Sequence, residues 1–399
     1  MENPSIKYNI IKYYLFSFML GLYFYLPVFV LFFQSKGLGY AEILILFAFQ
    51  SLMQLIFEIP CGSLSDSIGR KISLCVGSVL YTLAFLVIFI GNSFYLFLVG
   101  FCFLGLSKAF ISGSDSAFIF DTLYILKIED KYKKVEGKAR GLSLFGMALG
   151  ALCGGYIGYI DMSYNMLFTA FGGLLSIIIA SLFVEPNIHH EERCNESKNF
   201  LLIGFRALQA TRKKSDVLIV VLLSSVLLAF MQVSHRFFQP YLIESNISIQ
   251  YFGYIYTIWM LFGSFSAIIA HYIDEKLGIL CSLILLFLLT TGYILYMGII
   301  ANYMGLIIIL AGEFTWGATI PIVYDYVNKN TKSSIRATVI SFFGFSKGII
   351  LIGAAPFYGY LADLYSFKIS LCLQSASVFI IGILLLFLFK QKYRIVSCK

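Results

Sequence analysis

Twelve blocks of about 20 mainly apolar residues run through this chain, separated by short polar or charged segments. That length lets an α-helix cross the roughly 30 Å hydrocarbon core of a bilayer. The expected spans are 10–33, 42–63, 72–91, 94–120, 141–160, 166–184, 217–238, 251–272, 278–300, 303–327, 338–361 and 369–389. Folding in water is excluded by composition. Only 13% of residues are charged, where soluble domains carry about 25%, and mean hydropathy is +0.86. A soluble enzyme, a disordered chain and a nucleic-acid binder are all ruled out. The expected fold is all-α and integral to the membrane.

The net charge of +8 is a topology signal. Of the 29 Lys and Arg residues, 24 fall on the side of the N-terminus, and three (Lys36, Arg236, Lys368) fall on the other side. Lys108 and Lys347 lie deep within spans, while Lys12 and Arg236, at span ends, are counted with the sides they adjoin. Cytoplasmic segments carry the Lys/Arg excess, so both termini are expected in the cytoplasm of a multi-pass plasma-membrane protein. The first span, about 24 residues with no small-residue cleavage site after it, is too long for a signal-peptide core. The eight cysteines (Cys61, Cys75, Cys102, Cys153, Cys194, Cys281, Cys372, Cys398) show no CxxC or Cys/His spacing and read as free thiols. The many Phe and Tyr residues are expected mainly at lipid-facing positions.

The chain also divides near its midpoint. Residues 185–215 are the only long polar stretch, opening with an acidic run and continuing as an amphipathic helix suited to the inner membrane surface. It separates 1–184 from 216–399, and the halves echo each other. Leu31-Phe32-Phe33-Gln34 pairs with Arg236-Phe237-Phe238-Gln239, Phe120-Asp121 with Tyr324-Asp325, Asp66 with Asp274, and Arg140 with Arg336. These offsets of 205, 204, 208 and 196 residues place each pair at a matching membrane boundary. Parallel repeats of this kind are a transporter architecture, here two six-helix bundles joined by a linker.

The segment after the second span reads Gly62-Ser-Leu-Ser-Asp66-Ser-Ile-Gly69-Arg70-Lys71. Gly62 is expected to let two helices approach closely, and Gly69 to permit a tight turn. Asp66 suits the positive end of a neighbouring helix. Arg70 and Lys71 hold the loop at the cytoplasmic face.

GxxxDxxGRK between the second and third spans, with twelve spans and a central linker, resembles the major facilitator superfamily. The resemblance implies two bundles around a cavity that opens to each side in turn. It further implies that Asp66 and Arg70, with Asp121 and Arg140 at the same level, form an inner gate. Asp274, Asp325 and Arg336 would be the second-half equivalents. The second-half loop, His271 to Gly278, keeps an acid and a base but not the full pattern. In the fifth span, Gly146, Gly150, Gly154 and Gly155 resemble the GxxxGPxxGG element of the drug:proton antiporter branches, with Ala151 at the proline position.

Ionisable residues inside spans are costly and mark a partner, a cavity or a function. Gln50, Gln54 and Glu58 recur every fourth residue as one polar stripe. Lys108 and Asp115, seven apart, would share a face of the fourth span. Glu313 and Lys347 would pair near the midplane. His235 and Arg236 read as interfacial anchors. The candidate proton-coupling residues are Asp115, Glu58 and Glu313; the first span has Pro27 but no acid.

No Walker loop, HExxH or metal-ligand spacing is present in the sequence, so no cofactor, metal or ATP-driven step is expected. The reading is a secondary active transporter, acting as a monomer, that exports amphipathic or lipophilic small molecules in exchange for protons. Its rivals are a transporter of a dedicated metabolite (sugar, peptide or metallophore) and a non-transporting membrane enzyme or sensor. The charge count yields a direct expectation: an impermeant thiol reagent should label Cys194 only after the membrane is permeabilised. Rapid labelling in intact cells would invert the topology.

Overall fold

The computed structural model describes residues 6–186, 215–331 and 333–397. The expected amphipathic helix of the linker, with Cys194, and the terminal Cys398 lie outside the described residues. The α-helices are α1 (Asn9–Leu20), α2 (Phe29–Ser35), α3 (Tyr40–Ile68), α4 (Arg70–Ile90), α5 (Phe94–Ile111), α6 (Ser114–Ile125) and α7 (Tyr132–Ile160). They continue with α8 (Met162–Ser181), α9 (Ser215–Ser234), α10 (Phe238–Glu244), α11 (Phe252–Ile299), α12 (Gly305–Asn330), α13 (Ser333–Leu364) and α14 (Phe367–Ser397). No strand occurs among the described residues.

Among the described residues, ten stretches are long and apolar enough to cross a membrane, and the two other expected spans are accounted for by breaks. The span expected over 10–33 is not one helix, because α1 ends at Leu20 and α2 begins at Phe29. Pro27 lacks an N–H and cannot continue a helix without losing a hydrogen bond. The spans expected over 251–272 and 278–300 run together as α11, whose 48 residues would measure about 72 Å if straight. Gly278, at φ 73° and ψ 159°, breaks it into two membrane-length pieces. Gly69, at φ 100° and ψ 146°, breaks α3 from α4 in the same way. The left-handed region is open to glycine at little cost.

These breaks revise the reading of residues 62–71. The expected loop is a single residue, Gly69, between two helices, so Asp66 sits in the last turn of α3 and Arg70 opens α4. Gly62 does not serve a close approach, since a side chain there would meet nothing in its own unit.

The described chain forms two compact units. The first draws on 6–36, 49–186 and 249–257, the second on 37–48, 215–248, 258–331 and 333–397. In the first unit the unwound segment 21–28 is held between α7 and α8. Asn165 on α8 donates to the Phe24 carbonyl at 2.6 Å and the Gly154 carbonyl at 2.7 Å. The Tyr25 N–H donates to Thr169 Oγ1 at 3.3 Å. Backbone groups in an apolar medium must find such partners. The glycines of α7 make the fit possible: a Cβ at Gly146 or Gly150 would lie 2.6 Å from Phe18 O or Tyr23 N. Gly155 instead abuts Gly253. With Ala151 at the proline position, α7 continues unbroken for 29 residues.

The aromatic residues are not only lipid-facing. Phe29, Phe33, Phe85, Phe97 and Phe101 are buried and meet ring to ring in the first unit. Outward positions such as Ile90, Phe171, Leu261 and Ile380 remain exposed, an apolar surface suited to lipid and not to water. In the second unit α9 is the most deeply buried span, with Gln374 of α14 donating to its Phe230 carbonyl at 2.5 Å.

Replacing Asn165 with Leu removes the donor for the Phe24 carbonyl at the helix break and for the Gly154 carbonyl of α7. The expected loss is about 1–3 kcal/mol, read as a lower unfolding temperature in detergent. Unchanged unfolding would mean that the unwound segment is held by packing alone.

Candidate functional site

A cavity of about 350 Å³ opens within the first unit. Its wall takes Tyr13 from α1, Tyr23 from the unwound segment, Gln54 from α3, Tyr81 from α4, Lys108 from α5, Asp115 from α6, and Glu136, Arg140 and Ser143 from α7. Most of these polar groups belong on helices whose sequences are otherwise apolar.

Lys108 and Asp115 reach this cavity by a route the sequence does not reveal. The helix expected over 94–120 is interrupted at Ser112–Gly113, where Gly113 takes φ 81°, so the two residues do not share one helical face. They line the cavity from either side of the break. Asp115 sits in the first turn of α6 and accepts the Ser116 N–H at 2.7 Å, and the helix dipole there favours a carboxylate. Serines satisfy the interrupted backbone and tie down its flanks. Ser73 donates to the Phe110 carbonyl at 3.0 Å, and Ser114 donates to Ser65 at 2.9 Å.

On the opposite wall Glu136 joins two groups. It accepts the Tyr13 hydroxyl at 2.9 Å and the Arg140 Nε–H at 3.0 Å. Arg140 is therefore paired with Glu136 in its own helix, where the sequence reading grouped it with Asp121 and Asp66. The i, i+4 spacing of Glu136 and Arg140 was the signal that could have found this pair. The Tyr81 hydroxyl is buried with no hydrogen-bond partner among the described residues.

Beyond the cavity, Arg70 is the hub of the Asp66–Arg70 motif. Its guanidinium forms an ion pair with Asp121, both side chains being 8% exposed. Asp66 lies 3.9 Å from Arg70 but is 64% exposed. The carboxylate at the helix N-terminus is not Asp66 but Glu185, which accepts the Arg70 N–H at 2.8 Å and the Lys71 N–H at 2.7 Å. The sequence reading had placed Glu185 in the polar linker.

The second unit corrects three further expectations. Glu313 is 9% exposed and does not pair with Lys347: its ionisable neighbour is His235, whose Nε2 lies 3.7 Å from the carboxylate. His235 is accordingly no interfacial anchor, since its ring packs against Trp259 and Trp316 at 4.7 and 5.7 Å. The Glu313 carboxylate fits because residue 263 is glycine; a Cβ there would lie 2.6 Å from it. Lys347 Nζ sits 6.0 Å from the Trp316 ring. Arg236 stacks 3.6 Å over Phe47, inside the stretch Asp216–Glu244. Asp325 pairs with Lys329 at 2.6 Å, and Arg336 donates to the Asn328 carbonyl at 3.0 Å. Asp274, Asp325 and Arg336 form no ion pair with one another among the described residues. Glu58 is exposed and does not line the cavity.

Helices of membrane length, interrupted where backbone can be re-satisfied and carrying charge into a polar cavity, define a polytopic membrane transporter. The chain belongs to the Major Facilitator Superfamily, whose family model matches residues 14–355. That family comprises transporters and is not an enzyme class. The chain is 24% identical to the uncharacterized MFS-type transporter YxaM of Bacillus subtilis, over 64% of this chain and 63% of that protein. It is 25% identical to the uncharacterized MFS-type transporter MJ1560 of Methanocaldococcus jannaschii, over 88% and 89%. It is 22% identical to the quinolone resistance protein NorA of Staphylococcus aureus, over 43% of each. The match thus spans less than two thirds of YxaM and of NorA. In three dimensions the chain is similar to the nucleoside transporter NupG, with a TM-score of 0.80 at 12% identity, covering 96% of this chain and 99% of that one.

The ion-pair geometry ranks two substitutions. Arg70→Gln strands the buried Asp121 carboxylate and should cost about 3–5 kcal/mol. Asp66→Asn, at an exposed and longer contact, should cost under about 1 kcal/mol. Unfolding of both variants in the same detergent checks this, and equal losses would demote Arg70 as the hub.

Proposed function

We propose that the protein exports amphipathic or lipophilic small molecules in exchange for protons, by alternating access, with Asp115 as the coupling carboxylate. The observation that carries this reading is the placement of Asp115: it lines a polar cavity across a helix break from Lys108. A carboxylate there can hold a proton when the ammonium is distant or occupied, and release it when a cation approaches. Glu313, buried beside His235, and the exposed Glu58 are the reserve coupling candidates. The partial match to NorA supports efflux.

The same reading takes 1–184 and 216–399 as the two bundles, joined by a cytoplasmic linker over 185–215. It takes both termini as cytoplasmic, the plasma membrane as the site and the monomer as the working form. Asp66, Arg70 and Asp121, steadied by Glu185, act as the inner gate. Arg140 belongs to the cavity wall through Glu136, and Asp274, Asp325 and Arg336 sit at the matching level of the second bundle. Lys347 serves as a cavity cation of that bundle.

A second reading, transport of a dedicated polar metabolite, is favoured by one feature. The cavity presents Gln54, Lys108, Tyr81 and several serine hydroxyls to its contents, more polarity than a lipophilic cargo needs.

The test is transport into proteoliposomes with an imposed pH gradient, with and without a membrane potential. Lipophilic cations and polar metabolites would be offered in parallel. Asp115→Asn should abolish accumulation driven by the pH gradient while leaving energy-independent exchange. If the Asn variant still accumulates substrate against its gradient, coupling lies at Glu313 or Glu58.

A further inference from the structure

The second unit holds an acid and a base within its membrane-spanning helices and does not pair them. The Glu313 carboxylate on α12 accepts no hydrogen bond among the described residues, and His235 Nε2 stops 3.7 Å short of it. That imidazole nitrogen is itself buried without a hydrogen-bond partner among the described residues. Lys347 on α13 makes no ion pair among the described residues; the group against its ammonium is the Trp316 ring, at 6.0 Å. Arg236, next to His235 in sequence, stacks on Phe47 instead. A charge inside a span calls for a partner, a cavity or a function, and here two opposite charges of one unit are left apart. Trp316 is common to both. It lies one turn from Glu313 on the same helix face, with its ring 5.7 Å from His235 and 6.0 Å from the Lys347 ammonium. Trp259 flanks His235 at 4.7 Å. The cluster is not sealed, since Trp316 and Lys347 are only half-buried.

We propose that this cluster is a binding site for a zwitterion: Glu313 takes the ammonium and Lys347 the anionic group of a small amphipathic molecule whose apolar body lies against Trp316. The two charges select the class. A simple cation would be drawn to Glu313 and repelled by Lys347, and a simple anion would meet the reverse. A molecule that carries both charges satisfies both residues and leaves no buried charge uncompensated. The indole supports the same ligand, because its face attracts cations and its area holds an apolar linker. His235 adds a polar contact, since its unpartnered Nε2 can donate or accept according to tautomer. The inference rests on the reading of the chain as a carrier of small amphipathic molecules, and it narrows that cargo to one charge pattern.

The chain supplies its own reporter, because Trp259 and Trp316 are its only two tryptophans and both belong to the cluster. Intrinsic tryptophan fluorescence of the full-length protein in detergent micelles therefore reads binding at this place without any transport step. The probes are aminobutyrate, aminohexanoate and aminooctanoate with their charges at opposite chain ends. Each is offered beside the alkylammonium and the alkanoate of the same length. At least one zwitterion should bind about tenfold more tightly than both of its singly charged counterparts. Glu313→Gln should abolish that advantage while the alkanoate binds as well as before or better. Lys347→Gln should abolish it while sparing the alkylammonium. The comparison of probes on the unaltered protein needs no variant, so it decides the matter even if a substitution unfolds the chain. Zwitterions that bind no more tightly than the singly charged probes, or fluorescence unmoved by all of them, would overturn the site. Zwitterion binding by protein that shows no export driven by a pH gradient would keep the site and sink the exporter reading. Such export of other compounds with no preference for zwitterions would do the reverse.

Discussion

The structure depends on a constraint imposed by the medium: a backbone N–H or carbonyl within a bilayer must find its partner inside the protein. A continuous helix meets this by itself, but this chain breaks its helices at 21–28 and at Ser112–Gly113. Each break is repaired from a neighbouring helix. Asn165 and Thr169 on α8 serve the first, and Ser73 on α4 serves the second. The glycines of α7 bring their backbone close enough for the first repair to work. The second break lies in the cavity wall, where Lys108 and Asp115 line the cavity from either side of it.

Charge follows the same logic. Arg70 and Asp121 are buried as a pair, which offsets the penalty either would suffer alone. Glu313 faces His235, and Glu136 accepts from both Tyr13 and Arg140. Carboxylates are also used repeatedly to finish helices. Glu185 caps α4, and Asp363 caps α3. In both cases the acceptor comes from a remote part of the chain, so the cap joins elements as well as ending one.

Much of the architecture was legible in the residues alone. The blocks of about 20 apolar residues determined that the chain is all-helical and membrane-spanning, because no other use of such blocks hides their surface from water. The Gly62-to-Lys71 segment identified the family, and Gly69 was readable as a turn because few other residues tolerate positive φ. Glu313 and Asp115 stood out because charge within a membrane span is expensive and so is rarely incidental.

What only the tertiary structure decided is who meets whom. Helical periodicity predicts which residues share a face, and it fails where the helix itself stops, as at Gly113. It gave Glu313 the wrong partner because residues on different helices meet according to packing, which has no local signature. Glu185 and Asp363 were invisible for the same reason: a carboxylate near a span end looks like any other until the helix it caps is folded against it. The sequence determined the medium, the fold and the list of charged residues held in the membrane. Their pairing was left to the contacts between helices, where separation in space bears no relation to separation along the chain.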